Sequence, residues 1–204
     1  MPIRKQLRKG HWRRRSAVGI VADIPRPNRD ITAGVFHVYT HCVWASPALF
    51  CDDLDRVGFL RRLAQTTVRT QWRCIAYCLM GTHYHLIVAV DDGVLPVAMQ
   101  RLNYAYARDY NQRHDLRGHV QFARYGARRI EGDDDLLGCF RYVAMNPAEA
   151  GLCRSPCDWP WSSYPAAISL AKPQSFIDPR PVLSCFAGSR ELAIASLRNF
   201  VEGS

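Results

Sequence analysis

Apolar and polar residues change rhythm repeatedly between residues 29 and 165, and each change predicts an element. "GVFHVYTHCVW" (Gly34–Trp44) is rich in β-branched and aromatic residues and predicts a first strand. Asp52 or Asp53 can cap a helix running to about Thr70, with Leu54, Val57, Phe59, Leu60, Leu63 and Val68 as its buried side. Trp72–Met80 reads as a second strand, broken at Gly81 and Thr82. His83–Val90 reads as a third, paired with the second as a hairpin and ended by Asp91, Asp92 and Gly93. Pro96 suits the first turn of a helix to about His114. His119–Ile130 predicts a fourth strand. Asp133 or Asp134 then caps a helix from Asp135 to Asn146, which Pro147 stops. The chain is loop-rich after Gly151, and a last helix is expected from Ser189 to Val201.

The order β-α-β-β-α-β followed by a helix predicts an α+β fold of the ferredoxin-like type. Its antiparallel sheet would carry two helices on one face and the added helix on the other. Three segments are expected: a basic, disordered tail at 1–28, a folded domain at 29–165, and a C-terminal extension at 166–204 with the final helix.

Composition adds limits. Of the 204 residues 48% are hydrophobic, enough for a core, yet no run approaches the ~18 apolar residues of a membrane span. The short apolar piece Ala17–Ala22 meets Asp23 and Pro25, so no secretory signal is read and a cytoplasmic protein is expected. The eight cysteines (Cys42, Cys51, Cys74, Cys78, Cys139, Cys153, Cys157, Cys185) include no CxxC pair. They read as small buried hydrophobes rather than disulfides, with a structural zinc site as the alternative.

Charge is concentrated. The formal net charge is +9, and Arg4, Lys5, Arg8, Lys9, Arg13, Arg14 and Arg15 supply most of it with no acid nearby. Such a block is either a solvated tail or a nucleic-acid-binding one. Between Arg101 and Ile130, arginines alternate with Tyr104, Tyr106, Tyr110, Phe122 and Tyr125. Arginine beside aromatic rings suits single-stranded nucleic acid, so Arg101, Arg108, Arg124, Arg128 and Arg129 are candidate DNA contacts. The competing reading makes some of these rings core.

Two histidines open the third strand. Alternate strand residues share a face, so His83 and His85 point the same way, ~7 Å apart at their Cα atoms. That spacing lets both reach one divalent ion; it also suits two ordinary histidines. On the added helix, Leu136, Phe140 and Val143 form the apolar stripe, while Tyr142 and Asn146 lie one turn apart on another flank. Gly138, a turn earlier, is read as clearing space beside the phenol. An amide oxygen there can complete a site begun by two imidazoles and would leave the phenol next to the ion; Tyr142 as a half-buried surface residue is the plainer reading.

Four segments carry a family resemblance: "YCLMGTHYHLIV" (Tyr77–Val88), "RLNYAYARDYNQRH" (Arg101–His114), "RYVAMNPAEAGL" (Arg141–Leu152) and "DWPWSSY" (Asp158–Tyr164). In this order and spacing the chain resembles the single-tyrosine HUH transposases, specifically the REP-associated tyrosine transposases. The resemblance covers roughly Pro25 to Tyr164. It implies that 29–165 is an HUH transposase-like catalytic domain. It further implies that His83, His85 and Asn146 hold a divalent metal, Mg²⁺ or Mn²⁺, and that Tyr142 is the nucleophile. The implied activity is metal-dependent cleavage and rejoining of single-stranded DNA through a 5′-phosphotyrosine, at hairpin-forming repeats. The implied partners are single-stranded or hairpin DNA, with no membrane, for a monomer or homodimer. The alternatives are a non-catalytic single-strand binder, a rolling-circle nickase, and a zinc hydrolase using His83, His85 and a cysteine. Thr40–Phe50 and Gly118–Ile130 depart from the family pattern.

Overall fold

The computed structural model describes residues 32–41, 48–116 and 124–203. The basic residues Arg4, Lys5, Arg8, Lys9, Arg13, Arg14 and Arg15, and Cys42, lie outside the described residues. Four strands pair antiparallel in the order β2–β3–β1–β4: β1 (Gly34–His41), β2 (Arg73–Leu79), β3 (His83–Val90) and β4 (Gly126–Ile130). The central pair is the longest, β1 meeting β3 from Gly34 opposite Val90 to His41 opposite His83.

Strand alternation divides the interior in two. Phe36, Val38, Tyr84, Leu86 and Val88 face α1 (Asp53–Thr70) and α2 (Val94–Arg113). Ile87 and Ala89 face the opposite way, toward Leu136, Phe140 and Val143 of α3 (Gly132–Glu149) and, after the short helices α4 (Tyr164–Ala167) and α5 (Arg180–Leu183), Leu197 and Val201 of α6 (Arg190–Glu202). The register slips between Cys74 and Ala76, so Ile75 and Ala76 both join the α3 core. This is the ferredoxin-like arrangement, with the added helix on the second face.

Helix α1 starts as its sequence predicts, with the Asp52 carboxylate accepting from the Asp55 N–H at 3.1 Å. Its buried side is different. Phe59, Leu60 and Leu63 are buried, but Leu54, Val57 and Val68 are exposed, and Asp55 and Thr66 point inward. Asp55 tolerates burial because its carboxylate accepts from the Cys51 N–H at 2.8 Å and the Arg113 guanidinium at 2.5 Å, and contacts His114 at 3.0 Å. A satisfied carboxylate thus takes the slot that hydrophobicity alone would give to leucine.

Helix α3 is longer than expected at both ends. Asp133, Asp134 and Asp135 lie within its first turn, where the helix dipole favours acids, instead of capping it. Pro147 does not stop it. The proline forgoes one hydrogen bond in the last turn, and the helix continues to Glu149. The exit is secured by the Ala150 N–H on the Asn146 carbonyl (3.0 Å) and the Leu152 N–H on that of Pro147 (2.9 Å). Strand β1 is described only to His41, and β4 begins at Gly126, so Arg124 and Tyr125 are not part of the expected fourth strand, while residues 42–44 and 119–123 lie outside the described residues.

The segment after α3 lines the outer edge of β2. The Leu79 N–H donates to the Trp161 carbonyl (2.8 Å), the Ser163 N–H to that of Tyr77 (3.0 Å), and the Trp159 indole to that of Leu79 (3.0 Å). Farther on, the Asp178 N–H donates to the Cys74 carbonyl at 2.8 Å. Residues beyond 165 add Ala167, Ile168 and Val182 to the α3 core. Ser189 caps α6 one residue before its start. The seven described cysteines form no disulfide; Cys74, Cys78 and Cys139 are buried, and burial pushes their thiols up. Among the described residues no helix is long and apolar enough to cross a membrane.

Candidate active site

The outward ends of β3, β1 and α3 meet over the second face of the sheet. His83 and His85 both point there, with ring centres 5.1 Å apart and planes at 80°. His85 is buried, while His83 is half-buried at the strand's start. Helix α3 crosses this end because Leu136, Cys139, Phe140, Val143 and Ala144 seat it on Ile87, Ala89 and their neighbours. That docking turns the adjacent flank toward the histidines. Asn146 Oδ1 comes within 3.3 Å of His83 Nε2. The Tyr142 ring lies edge-on to His85 at 5.4 Å between centres, with 47% of the residue exposed. The four residues carried over from the family resemblance thus stand together, on elements separated by more than fifty residues of chain.

A fifth residue belongs to the group. His37 of β1 is buried, its Nε2 lies 3.0 Å from Nδ1 of His85, and its ring stacks on His85 and meets the Tyr142 ring edge-on at 5.8 Å. Burial, helped by the positive charge of Arg128, lowers its pKa to about 4. His37 is therefore neutral at pH 7. In the fold order β1 sits beside β3, so alternate β1 residues were bound to share the histidine face. The apolar pattern of β1 alone does not express that pairing. Tyr39, opposite His85 in register, extends the cluster, and its ring lies over Gly126, where a Cβ would come 2.2 Å from Cζ of the ring. A glycine is required there by that close approach.

The donors suit a divalent cation. His85 Nδ1 is engaged by His37, so Nε2 is the nitrogen that it can turn to an ion. His83 Nε2 and Asn146 Oδ1 are spaced as adjacent ligands are: bonds of ~2.1 Å at right angles put ligand atoms ~3 Å apart. Two imidazoles and an amide carry no charge, leave the ion's own charge undiminished, and suit Mn²⁺ or a similar ion. A second grouping lies on the helix face, where Cys51, Asp55 and His114 each bring a ligand atom within 4.8 Å of the others, a set that a metal ion could use. There the Asp55 carboxylate already faces the Arg113 cation.

Among the described residues, the candidate DNA contacts do not converge. Arg101 and Arg108 are exposed on α2, on the sheet face opposite Tyr142. Nη1 of Arg128 donates to both carboxylate oxygens of Asp135, at 2.9 and 2.8 Å. Arg129 donates to Thr32 Oγ1 and the Ala33 carbonyl and lies over the Phe36 ring. Arg124 is exposed just before β4. Of the interleaved rings, Tyr106 and Tyr110 are core and Tyr104 is 69% exposed. Gly138 is not needed for clearance, since a Cβ there would meet nothing within 4 Å.

No protein-family model matches the chain. It is 24% identical over 148 residues to a Haemophilus influenzae protein described as a REP-associated tyrosine transposase, a match spanning 67% of this chain and 83% of that one. Its fold superposes on a REP-associated tyrosine transposase solved with a REP hairpin at a TM-score of 0.59 and 14% identity, covering 81% of this chain and 92% of that one. The chain thus resembles this group in sequence and shares its fold, as the four motifs imply.

Proposed function

We propose that this chain is a DNA strand transferase of the REP-associated tyrosine transposase type, with Tyr142 as nucleophile and His83, His85 and Asn146 as metal ligands. The observation that carries the reading is the meeting of Tyr142 and Asn146, one turn apart on α3, with the two histidines of β3. A phosphodiester repels nucleophiles through its charged oxygens. When bound, a divalent ion would neutralise a non-bridging oxygen and orient the phosphorus for in-line attack.

The chain's residues supply the rest. Tyr142 is half exposed, so its phenol can reach a strand arriving from solvent. The phenolic oxygen forms a bond to phosphorus as the bond from phosphorus to the 3′ oxygen breaks. The phenol gives up its proton, and the departing 3′ oxygen takes one up. The strand is left with a 5′-phosphotyrosine and a free 3′-hydroxyl, and attack by another 3′-hydroxyl reverses the step and joins new ends. With Nε2 of His85 given to the ion, its Nδ1–H would donate to Nε2 of His37, 3.0 Å away, and hold the ring in that orientation. His37 is a positioning residue, and it can accept only while neutral.

The substrate is read as single-stranded DNA next to a hairpin, by analogy with the relative solved with a REP hairpin. Incubation with labelled hairpin oligonucleotides and Mn²⁺ tests this. A covalent adduct should form with the natural chain and be lost in Tyr142→Phe, whose binding and melting temperature should hold. An adduct that survives the substitution removes Tyr142 as nucleophile.

A further inference from the structure

The outer surfaces of α1 and α2 form a groove of about 600 Å³ on the sheet face opposite Tyr142. Its walls are two helical stripes. Arg62, Thr66 and Arg69 follow one another along α1; Arg101, Tyr104 and Arg108 do so along α2. Arg62 holds Asp109 through two hydrogen bonds of 2.5 and 2.7 Å, which fixes the helices side by side and occupies the acid nearest the groove. Arg69 and Arg101 have no carboxylate within salt-bridge distance among the described residues. Tyr104 stands 69% exposed between Arg101 and Arg108.

We propose that this groove is a second nucleic-acid site, holding a single DNA strand along α2 with its phosphates on Arg69, Arg101 and Arg108 and a base stacked on Tyr104. Charge complementarity selects a polyanion. The exposed ring between two arginines selects one that carries flat bases, since arginine neutralises phosphate while an aromatic face takes any base. The α2 stripe from Val97 to Arg108 is ~16 Å long at 1.5 Å per residue, enough for four or five stacked nucleotides at ~3.4 Å each. The site takes the substrate class of the proposed function, but it lies behind the sheet from the candidate nucleophile. It would grip DNA outside the cleaved segment.

The test is binding of a fluorescent single-stranded oligonucleotide to the full chain across a salt series, comparing the natural protein with Arg69→Gln/Arg101→Gln and with Tyr104→Ala. These side chains are exposed, and unchanged melting temperatures will show that the fold holds. The double variant should lower the slope of log affinity against log salt by about 1.4, at ~0.7 per phosphate contact on a single strand. Tyr104→Ala should weaken binding at least about fivefold, the equivalent of the ~1 kcal/mol lower bound for one stacked base. Unchanged slope and affinity overturn the proposal. So does equal binding of a polyglutamate of matched charge, or of blunt duplex with no Tyr104 effect. The adduct assay separates the two readings: weakened binding supports the groove whether or not an adduct forms, while an adduct with unaltered binding overturns the groove and leaves cleavage standing.

Discussion

Nε2 of His37 lies 3.0 Å from Nδ1 of His85, across the diagonal of the β1–β3 pair, with both rings buried and stacked. With a metal ion on Nε2 of His85, the proton of that ring would sit on Nδ1 and be held by His37 as an uncharged acceptor.

His37→Ala should therefore weaken Mn²⁺ binding by roughly 10- to 100-fold, the usual effect of removing a partner that orients a metal-bound histidine. His37→Gln, which keeps an acceptor, should recover part of the loss. Calorimetric titration of the metal into the DNA-free protein reads this directly. Equal affinity for all three proteins would remove His37 from the site's architecture.

The same residue predicts a pH dependence in the metal-free protein. Its folded pKa of about 4 lies below the 6.5 of an unfolded histidine, so between these values the unfolded chain binds more protons. This contribution to stability should be full above pH 6.5 and fall away as pH drops from 6.5 toward 4. Chemical denaturation at several pH values, with His37→Gln as control, should show a weaker pH slope in the variant. A folded-state NMR midpoint near 6.5 for the His37 ring would contradict the assignment.

Gly138 sits inside α3, and a methyl group there would meet open space. Gly138→Ala should stabilise the protein by about 1 kcal/mol, the difference in helix propensity between the two residues. A melting curve measures it. Destabilisation would mean that the glycine's backbone freedom or its neighbourhood is used in a way that these contacts do not reveal.

Asp55 joins the start of α1 to the end of α2, being buried against Arg113, His114 and the Cys51 N–H. Asp55→Ala should cost about 2 kcal/mol, because it leaves the buried Cys51 N–H without its acceptor, whereas Arg113, a third exposed, keeps Asp52 and solvent. Urea denaturation tests this; a loss below 1 kcal/mol would mean that solvent replaces the carboxylate readily.

The fold was legible because its elements obey their periods. His83–Val90 is a short apolar run bounded by turn residues, and Leu136, Phe140 and Val143 recur at helical spacing, so the sheet, the docking helix and the flank bearing Tyr142 could all be read from the chain. What escaped depends on partners distant in sequence. Asp55 is inward because α2 brings Arg113 and His114 to it, displacing the apolar side drawn through Leu54 and Val57. His37 joins the site through strand pairing that hydrophobic rhythm alone does not express. Arg101 and Arg108 read as part of one DNA-contacting stretch with Arg128 and Arg129, yet α2 carries the first two behind the sheet while β4 turns the second two into local contacts with Asp135 and Thr32.

The edge of β2 has a consequence for assembly. Trp159, Trp161 and Ser163 on one stretch, and Asp178 on another, already use its outward backbone groups at Cys74, Tyr77 and Leu79. A second copy, or an extended peptide, therefore finds no open ladder on that side to lengthen. Among the described strands, edge-to-edge growth of the sheet is confined to β4, whose Arg128 and Arg129 would place like charges face to face wherever two copies met there.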